Sequence, residues 1–278
     1  MRNIIIILLF LLALPMYGQQ YQAEDSIFIE QLLRGAKPHQ GTLGFATQFM
    51  DRPYVAHTLE GNAEEQLVVN TRQLDCTTFV ETVVALTLCA ERGDSTFSQY
   101  CRQLQQLRYR QGILDGYTSR LHYFTDWIID NSEMGFVKEI QQKESPFTAV
   151  QTLQTNYMSR HPQAYEALNR KPELVPVIAR QEQKLTGQRF RYIPKLKVKN
   201  SQELRQAVHD GDIIAITTSK AGLDIAHLGF AVWRCDGLHL LHASSLHHKV
   251  TEEPSNLGRY LQKHASHTGI RIIRLNHP

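Results

Sequence analysis

QLDCTTFVETVVALTL, Gln73 to Leu88, decides how the rest of this chain is read. Phe79, Val80, Val83, Val84 and Leu86 leave little of a helical circumference polar, which predicts a buried helix beginning near Asp75. Asp75 is its expected N-cap. Cys76 then falls in the first turn, where unpaired main-chain N–H groups and the positive end of the helix dipole favour a thiolate. The other cysteines offer no such setting. Cys89 and Cys101 sit mid-helix among Leu, Thr, Tyr and Gln, and Cys235 lies in a hairpin turn, so they read as packing or turn residues.

A nucleophilic thiol needs a base, and the base needs an orienting group. Far downstream, DIIAITTS, IAHLGFAVW, LHLLHASS, a weaker KVTEE and IRIIRL read as strands joined by short turns such as CDG, with NLGRYLQKHASHTG as a late helix. His227 and His242 fall on two adjacent strands. Antiparallel neighbours bring two such side chains together at the sheet end facing the Cys76 helix. A zinc site on His247 and His248 is disfavoured, because adjacent strand residues point to opposite faces. The chain has neither His-Glu-x-x-His nor Cys-x-x-Cys, and nothing in it calls for a metal or cofactor.

Working outward, DSIFIEQLLRGAK predicts a short helix capped by Asp25 or Ser26, and GTLGFATQFMDRPYVAHTLEGN a turn-rich passage. From Ser95 to about Gln188 the chain reads mostly helical, in the segments STFSQYCRQLQQLRYR, LHYFTDWIIDN, PFTAVQTLQTNYMSR and PELVPVIARQEQKL. Helices before and hairpin-spaced strands after give an α+β class with a mainly antiparallel sheet. The expected organisation is one domain, residues 21–278, with a helical insertion at about 92–190; two domains is the alternative.

The 278 residues carry a net charge of +3 with no long run of one sign, which excludes a nucleic-acid tract or polybasic membrane patch. Arg2, an apolar run from Ile4 to Leu14, Pro15 and Gly18 make residues 1–20 an expected export signal. The run is too short to span a bilayer, and no cysteine near the cleavage region offers a lipid attachment point. A periplasmic or secreted protein, without stable membrane insertion once the signal is removed, is the expectation.

RPYVAHTLEG, QLDCTTFVET, HDGDIIAIT, AHLGFAVW and LLHASS occur in that order, and together they resemble the NlpC-type cell-wall cysteine hydrolases. VNTRQLDCTTFVE and GYTSRLHYFTDWI resemble more narrowly the N-acetylmuramoyl-L-alanine amidase-like branch. The resemblance implies a papain-like core, with Cys76 as nucleophile, His227 as base, His242 orienting it, and Tyr54 helping to shape the oxyanion region. It implies a peptidoglycan or muropeptide substrate cut between N-acetylmuramic acid and L-alanine. Asp75 matches the aspartate before the cysteine, where an N-cap role is favoured. The related pattern often has glycine where this chain has His57, and the hairpin between the two histidines is longer than in compact relatives.

Ser119, Arg120, His122 and Tyr123 are the candidate substrate contacts: aromatic faces stack on pyranose rings and arginine pairs with carboxylates. Trp127 is read as core. Three alternatives use the same fold: an endopeptidase cutting between D-glutamate and the diamino acid of the stem, a catalytically silent wall-binding protein, and a thiol acyltransferase.

Overall fold

The computed structural model describes residues 18–37 and 40–276. The expected leader therefore lies outside the described residues up to position 17; Gln19–Gln20 form a short strand, β1. In chain order there follow α1 (Ala23–Arg34), α2 (Gly41–Ala46), β2 (Leu67–Val68), α3 (Cys76–Glu91), α4 (Phe97–Arg108) and α5 (Phe124–Glu133). Next come β3 (Val137–Ile140), β4 (Ala149–Thr152), α6 (Tyr157–Arg160), α7 (Glu166–Arg170), α8 (Val175–Leu185) and β5 (Arg189–Pro194). The last third holds α9 (Gln202–Ala207), β6 (Ile213–Thr218), β7 (Ile225–Arg234), β8 (Gly237–Ser244), β9 (Lys249–Glu252), α10 (Leu257–Lys263) and β10 (His267–Leu275).

Strands β3 to β10 form one eight-stranded sheet in the order β4-β5-β10-β6-β7-β8-β9, with β3 also paired to β10. All its named pairings are antiparallel. The mixed α+β class is thus observed. Along β6 every residue is buried, because both faces are covered: Ile213 and Ala215 pack into the core shared with α3, while Ile214 and Ile216 pack into a second core with α10. A third apolar cluster, with Leu153, Met158, Ile178 and Leu185, holds α6 and α8 together beside the sheet.

Helix α3 is buried continuously from Thr78 to Cys89. Its one buried acid, Glu81, accepts a 2.7 Å bond from Arg108 Nε on α4, a compensation that a charge removed from water requires. Phe79 stacks edge-on against Phe230 of β7 at 5.5 Å, which presses the start of α3 onto the sheet. Trp127 is fully buried in the same core.

Three local readings are corrected. The N-cap of α1 is Gln22, and Asp25 lies one turn in, fully buried, accepting bonds from the Thr71 main chain and hydroxyl at 2.8 Å each and from Arg72. The turn-rich passage contains α2, whose glycines at 41 and 44 hide its periodicity. The block at 92–190 is not purely helical: β3 lies within it, β4 forms inside PFTAVQTLQTNYMSR, and β5 closes it, all three joining the main sheet. Short strands with alternating exposure, such as Ala149–Thr152, carry too few residues to outweigh the flanking helical pattern. Among the described residues, no helix is long and apolar enough to cross a membrane.

Candidate active site

Cys76 is the first residue of α3, and Asp75 caps it. Asp75 Oδ1 accepts the Thr78 N–H at 2.8 Å, and the Thr78 hydroxyl accepts the Asp75 N–H at 2.9 Å. This reciprocal cap fixes the main chain on both sides of the thiol. Two hollows meet there. One, of about 200 Å³, is walled by Tyr117, His122, Tyr123, Phe124, Met158 and Tyr165, with His227 and Asp224 at its sheet side. The other, of about 280 Å³, is bounded by Tyr54, His57, Asp75 and Arg120. Cys76, Thr77 and Glu60 belong to both.

The helix start does not make the thiol a resting thiolate. Burial and the Asp75 carboxylate push it up to about 12, against the Leu228 main-chain N–H, the Thr77 side chain and its own N–H, which favour the anion. Dehydration and a neighbouring negative charge outweigh the dipole. The Leu228 contact also has a positional meaning, because Leu228 follows His227 on β7 and so sets the thiol against the strand that bears the imidazole.

His227 Nε2 lies 2.6 Å from His242 Nδ1, with the two rings nearly perpendicular at 81°. Burial, reinforced by His267 and His264, lowers His227 to about 4; burial, with His227 and His247, lowers His242 to about 2. The resting site therefore pairs a neutral thiol with a neutral imidazole. Because Nε2 of His227 is engaged by His242, Nδ1 is the nitrogen left to take a proton from sulfur.

Two backbone devices create this pair. A bulge at Ala226 on β7 sets Ile216 of β6 opposite His227 and Thr217 opposite Ile225, re-aiming the histidine at the end of the ladder. Gly229 lies against His242, one residue beyond the last β7–β8 partners, Phe230 and Leu241. A Cβ there would come within 2.9 Å of His242 Cβ and 2.8 Å of the Leu241 carbonyl oxygen, so the His-x-Gly wording is a steric requirement. The two-residue Cys235–Asp236 turn keeps the long hairpin in register.

Tyr54 sits beside Cys76. Its N–H donates to the His248 carbonyl at 2.9 Å, and burial, with the charges of Cys76 and Asp75, pushes its phenol up to about 12. It is a neutral donor there. His57 adopts φ 63°, in the left-handed region that glycine prefers, so its side chain is held in a glycine-like conformation at the rim.

The residues at the entrance to α5 are mostly committed to protein partners. Arg120 is buried under the second hollow, with Glu60 Oε1 at 2.8 Å, Glu65 at 3.4 Å and the Tyr117 ring beneath its guanidinium. His122 packs on Tyr117 and donates from Nε2 to the Tyr117 carbonyl; burial, with Arg120, lowers it to about 3. The Tyr123 hydroxyl donates to Glu182 at 2.6 Å, while its ring walls the first hollow. The Ser119 hydroxyl accepts the Asp115 N–H and donates to the Gly116 carbonyl, serving its own turn, and Ser119 lines neither hollow. Asp224 supplies the N-terminal acceptor that α5 lacks, taking the Thr125 N–H at 2.7 Å.

Glu60, Tyr117, Met158 and Tyr165 are not singled out by the sequence: Glu60 and Tyr117 lie inside RPYVAHTLEG and GYTSRLHYFTDWI without a pattern of their own, and all four reach the cleft through tertiary packing. Glu60 Oε2 and the Tyr117 hydroxyl are buried without hydrogen-bond partners among the described residues. His247 and His248 lie in the turn before β9 rather than on a strand; His247 contacts Glu253 at 3.1 Å, and His248 has φ 56°. No group of three or more potential metal ligands occurs among the described residues.

Residues 44–270 match the family model described as AmiA-like, N-acetylmuramoyl-L-alanine amidase-like. A crystal structure of an N-acetylmuramoyl-L-alanine amidase from Bacteroides uniformis is 42% identical, with a TM-score of 0.80 over 85% of this chain and 98% of that one. A Bacteroides fragilis protein provisionally designated a xylanase is also 42% identical, with a TM-score of 0.78 over 84% and 99%. A Legionella pneumophila protein, 22% identical with a TM-score of 0.70 over 91% and 94%, shares the fold. Among curated proteins none matches.

Proposed function

Because the chain belongs to the N-acetylmuramoyl-L-alanine amidase-like family, we propose that it is a cell-wall hydrolase that cuts the amide between N-acetylmuramic acid and L-alanine, with Cys76 as nucleophile. The observation that carries this reading is the junction at Cys76: a thiol on a capped helix start, shared by two hollows, beside a strand whose His227 is bonded to His242. An amide with a large group on each side needs space on both sides of the nucleophile. On the same reading the core is papain-like and of the NlpC type, and residues 21–278 act as one domain. The apolar N-terminal run serves export to the periplasm or beyond.

His227 Nδ1 takes the Cys76 proton as sulfur adds to the lactyl carbonyl, forming the C–S bond and placing the carbonyl electron pair on oxygen. Main-chain N–H groups at the start of α3 and the Tyr54 phenol stabilise that oxyanion. Collapse breaks the C–N bond, and the imidazolium gives its proton to the departing L-alanine nitrogen. Water then loses a proton to His227 and adds to the thioester; the C–S bond breaks and the thiolate regains its proton. A base held near 4 is neutral throughout the physiological range, so turnover is expected to fall only on the acid side, as pH drops towards about 4.

Purified protein and a Cys76→Ala control, incubated with defined muropeptides and analysed by mass spectrometry, test this reading. A free stem peptide beginning with L-alanine, absent from the control, supports it. An L-alanyl-D-glutamate product still joined to sugar assigns the cut to the stem instead, and equal inertness of both proteins favours a binding role.

A further inference from the structure

Behind His242 stands a carboxylate that the steps above do not use. Glu253 directly follows β9 and is 5% exposed, and its N–H donates to the Leu240 carbonyl on β8 at 2.8 Å, which fixes it alongside the His242 strand. Its Oε2 lies 3.8 Å from His242 Nε2 and 3.1 Å from His247 Nε2, while Oε1 accepts the Ser255 hydroxyl at 2.8 Å. His242 is fully buried, and its Nε2 has no hydrogen-bond partner among the described residues. That nitrogen faces Glu253 across a gap that roughly an ångström of movement closes to hydrogen-bond length.

A neutral imidazole has one ring proton, and the 2.6 Å contact between the two histidines admits it in one direction at a time. If His242 carried its proton on Nδ1, it would donate to His227 Nε2 and force the His227 proton onto Nδ1, the atom that must be bare to act as base. If the His242 proton sits on Nε2, Nδ1 accepts from His227 and the base has the required tautomer. We propose that Glu253 is a positioning residue that holds the His242 proton on Nε2 and thereby keeps His227 Nδ1 unprotonated for Cys76. It also offsets the positive charge that forms on the histidine pair when His227 takes the thiol proton.

The other titratable groups facing the pair cannot substitute. His247 from the turn before β9 shares the same carboxylate, Tyr260 of α10 packs edge-on against His242, and His264 with His267 bear on His227 as cationic or neutral rings. None of them is an anion at neutral pH, and Asp224, the carboxylate beside His227 at the sheet side of the first hollow, is engaged by the Thr125 and Ile225 N–H groups.

The inference rests on Cys76 and His227 being nucleophile and base, so the test includes a reading independent of turnover. Iodoacetamide alkylation of Cys76, followed at its own peptide by mass spectrometry across pH, is compared in the full chain and in Glu253→Gln, Glu253→Asp and His227→Ala. Glu253→Gln keeps the size and packing of the side chain but not the charge. It is expected to slow both alkylation and kcat roughly ten- to hundredfold with KM little changed. Its acid limb should move to lower pH, because the imidazolium has lost a stabilising anion, and Glu253→Asp should recover part of the rate. Nitrogen-15 spectra should show His242 Nε2 protonated in the unaltered protein and the proton redistributed in Glu253→Gln. A Glu253→Gln protein with unchanged alkylation, pH profile and His242 tautomer overturns the proposal while leaving the nucleophile and base intact. If His227→Ala also leaves alkylation unchanged, the underlying pair is itself refuted.

Discussion

The histidine pair on β7 and β8, of which His227 lines the cleft, and the polar residues entering α5 are held in different ways. His227 and His242 are fixed by strand register, a bulge and a glycine, and their ring nitrogens bond to each other. Arg120, His122 and Tyr123 are held by ion pairs, ring stacking and buried acceptors. Regular elements position chemistry through geometry and leave functional atoms available. Irregular segments need side-chain bonds to hold their shape, so a residue rich in polar atoms there is more often a fixture than a ligand contact.

That contrast is sharpest at the proposed nucleophile, where Cys76→Ala should lower hydrolysis by more than roughly a thousandfold with the melting temperature nearly unchanged, as product analysis and thermal denaturation would show. Gly229→Ala probes the strand side. The added methyl must displace His242 or the Leu241 main chain, so a loss of about 1–3 kcal/mol in denaturant titration and a fall in kcat are expected together. Retained activity would mean that register does not place the pair. Acidification probes both regions: His122, His227, His242 and His267 are all held neutral by burial, lowered to about 3, 4, 2 and 4. The unfolded chain binds protons near 6.5 where the folded one does not, so stability should be full above that value and decline as pH falls from 6.5 towards 4. A melting temperature flat over that interval would break the assignment of neutral rings.

Smaller effects separate fixtures from contacts at the α5 entrance. Tyr123→Phe removes the phenolic donor to Glu182 and should cost about 1–3 kcal/mol of stability while leaving kcat unchanged. Ser119→Ala should cost only about 0.5–1.5 kcal/mol, with KM for muropeptides unaltered. A raised KM in either variant would turn the residue back into a substrate contact.

The strands β6 to β10 were legible because alternation and hairpin turns are local signals, and α3 because its apolar surface and Asp75 cap lie within one stretch. The cap itself was foreseen; the direction of the thiol's shift was not, since the burial that raises it comes from distant segments. Glu60 and Glu253 show the same limit. Glu60 lies within RPYVAHTLEG and Glu253 ends KVTEE, neither with a local signal of its place, and only folding sets one between two hollows and the other behind His242. The strands β3, β4 and β5 were lost among helices because each is recruited by a partner far along the chain.

Strand β10 joins β6 along one edge and divides the other between β5, at Gly269 and Ile270, and β3, at Ile272 to Leu275. Every strand it touches is synthesised earlier. The interior seam of the sheet therefore waits for the part of the chain made after them, across a separation of more than a hundred residues in the case of β3, and closing so large a loop is slow. A nascent chain without β10 holds Cys76 and both histidines but lacks the strand that joins β6 to β5 and β3. The seam of the sheet thus forms only after translation has passed every other strand it joins.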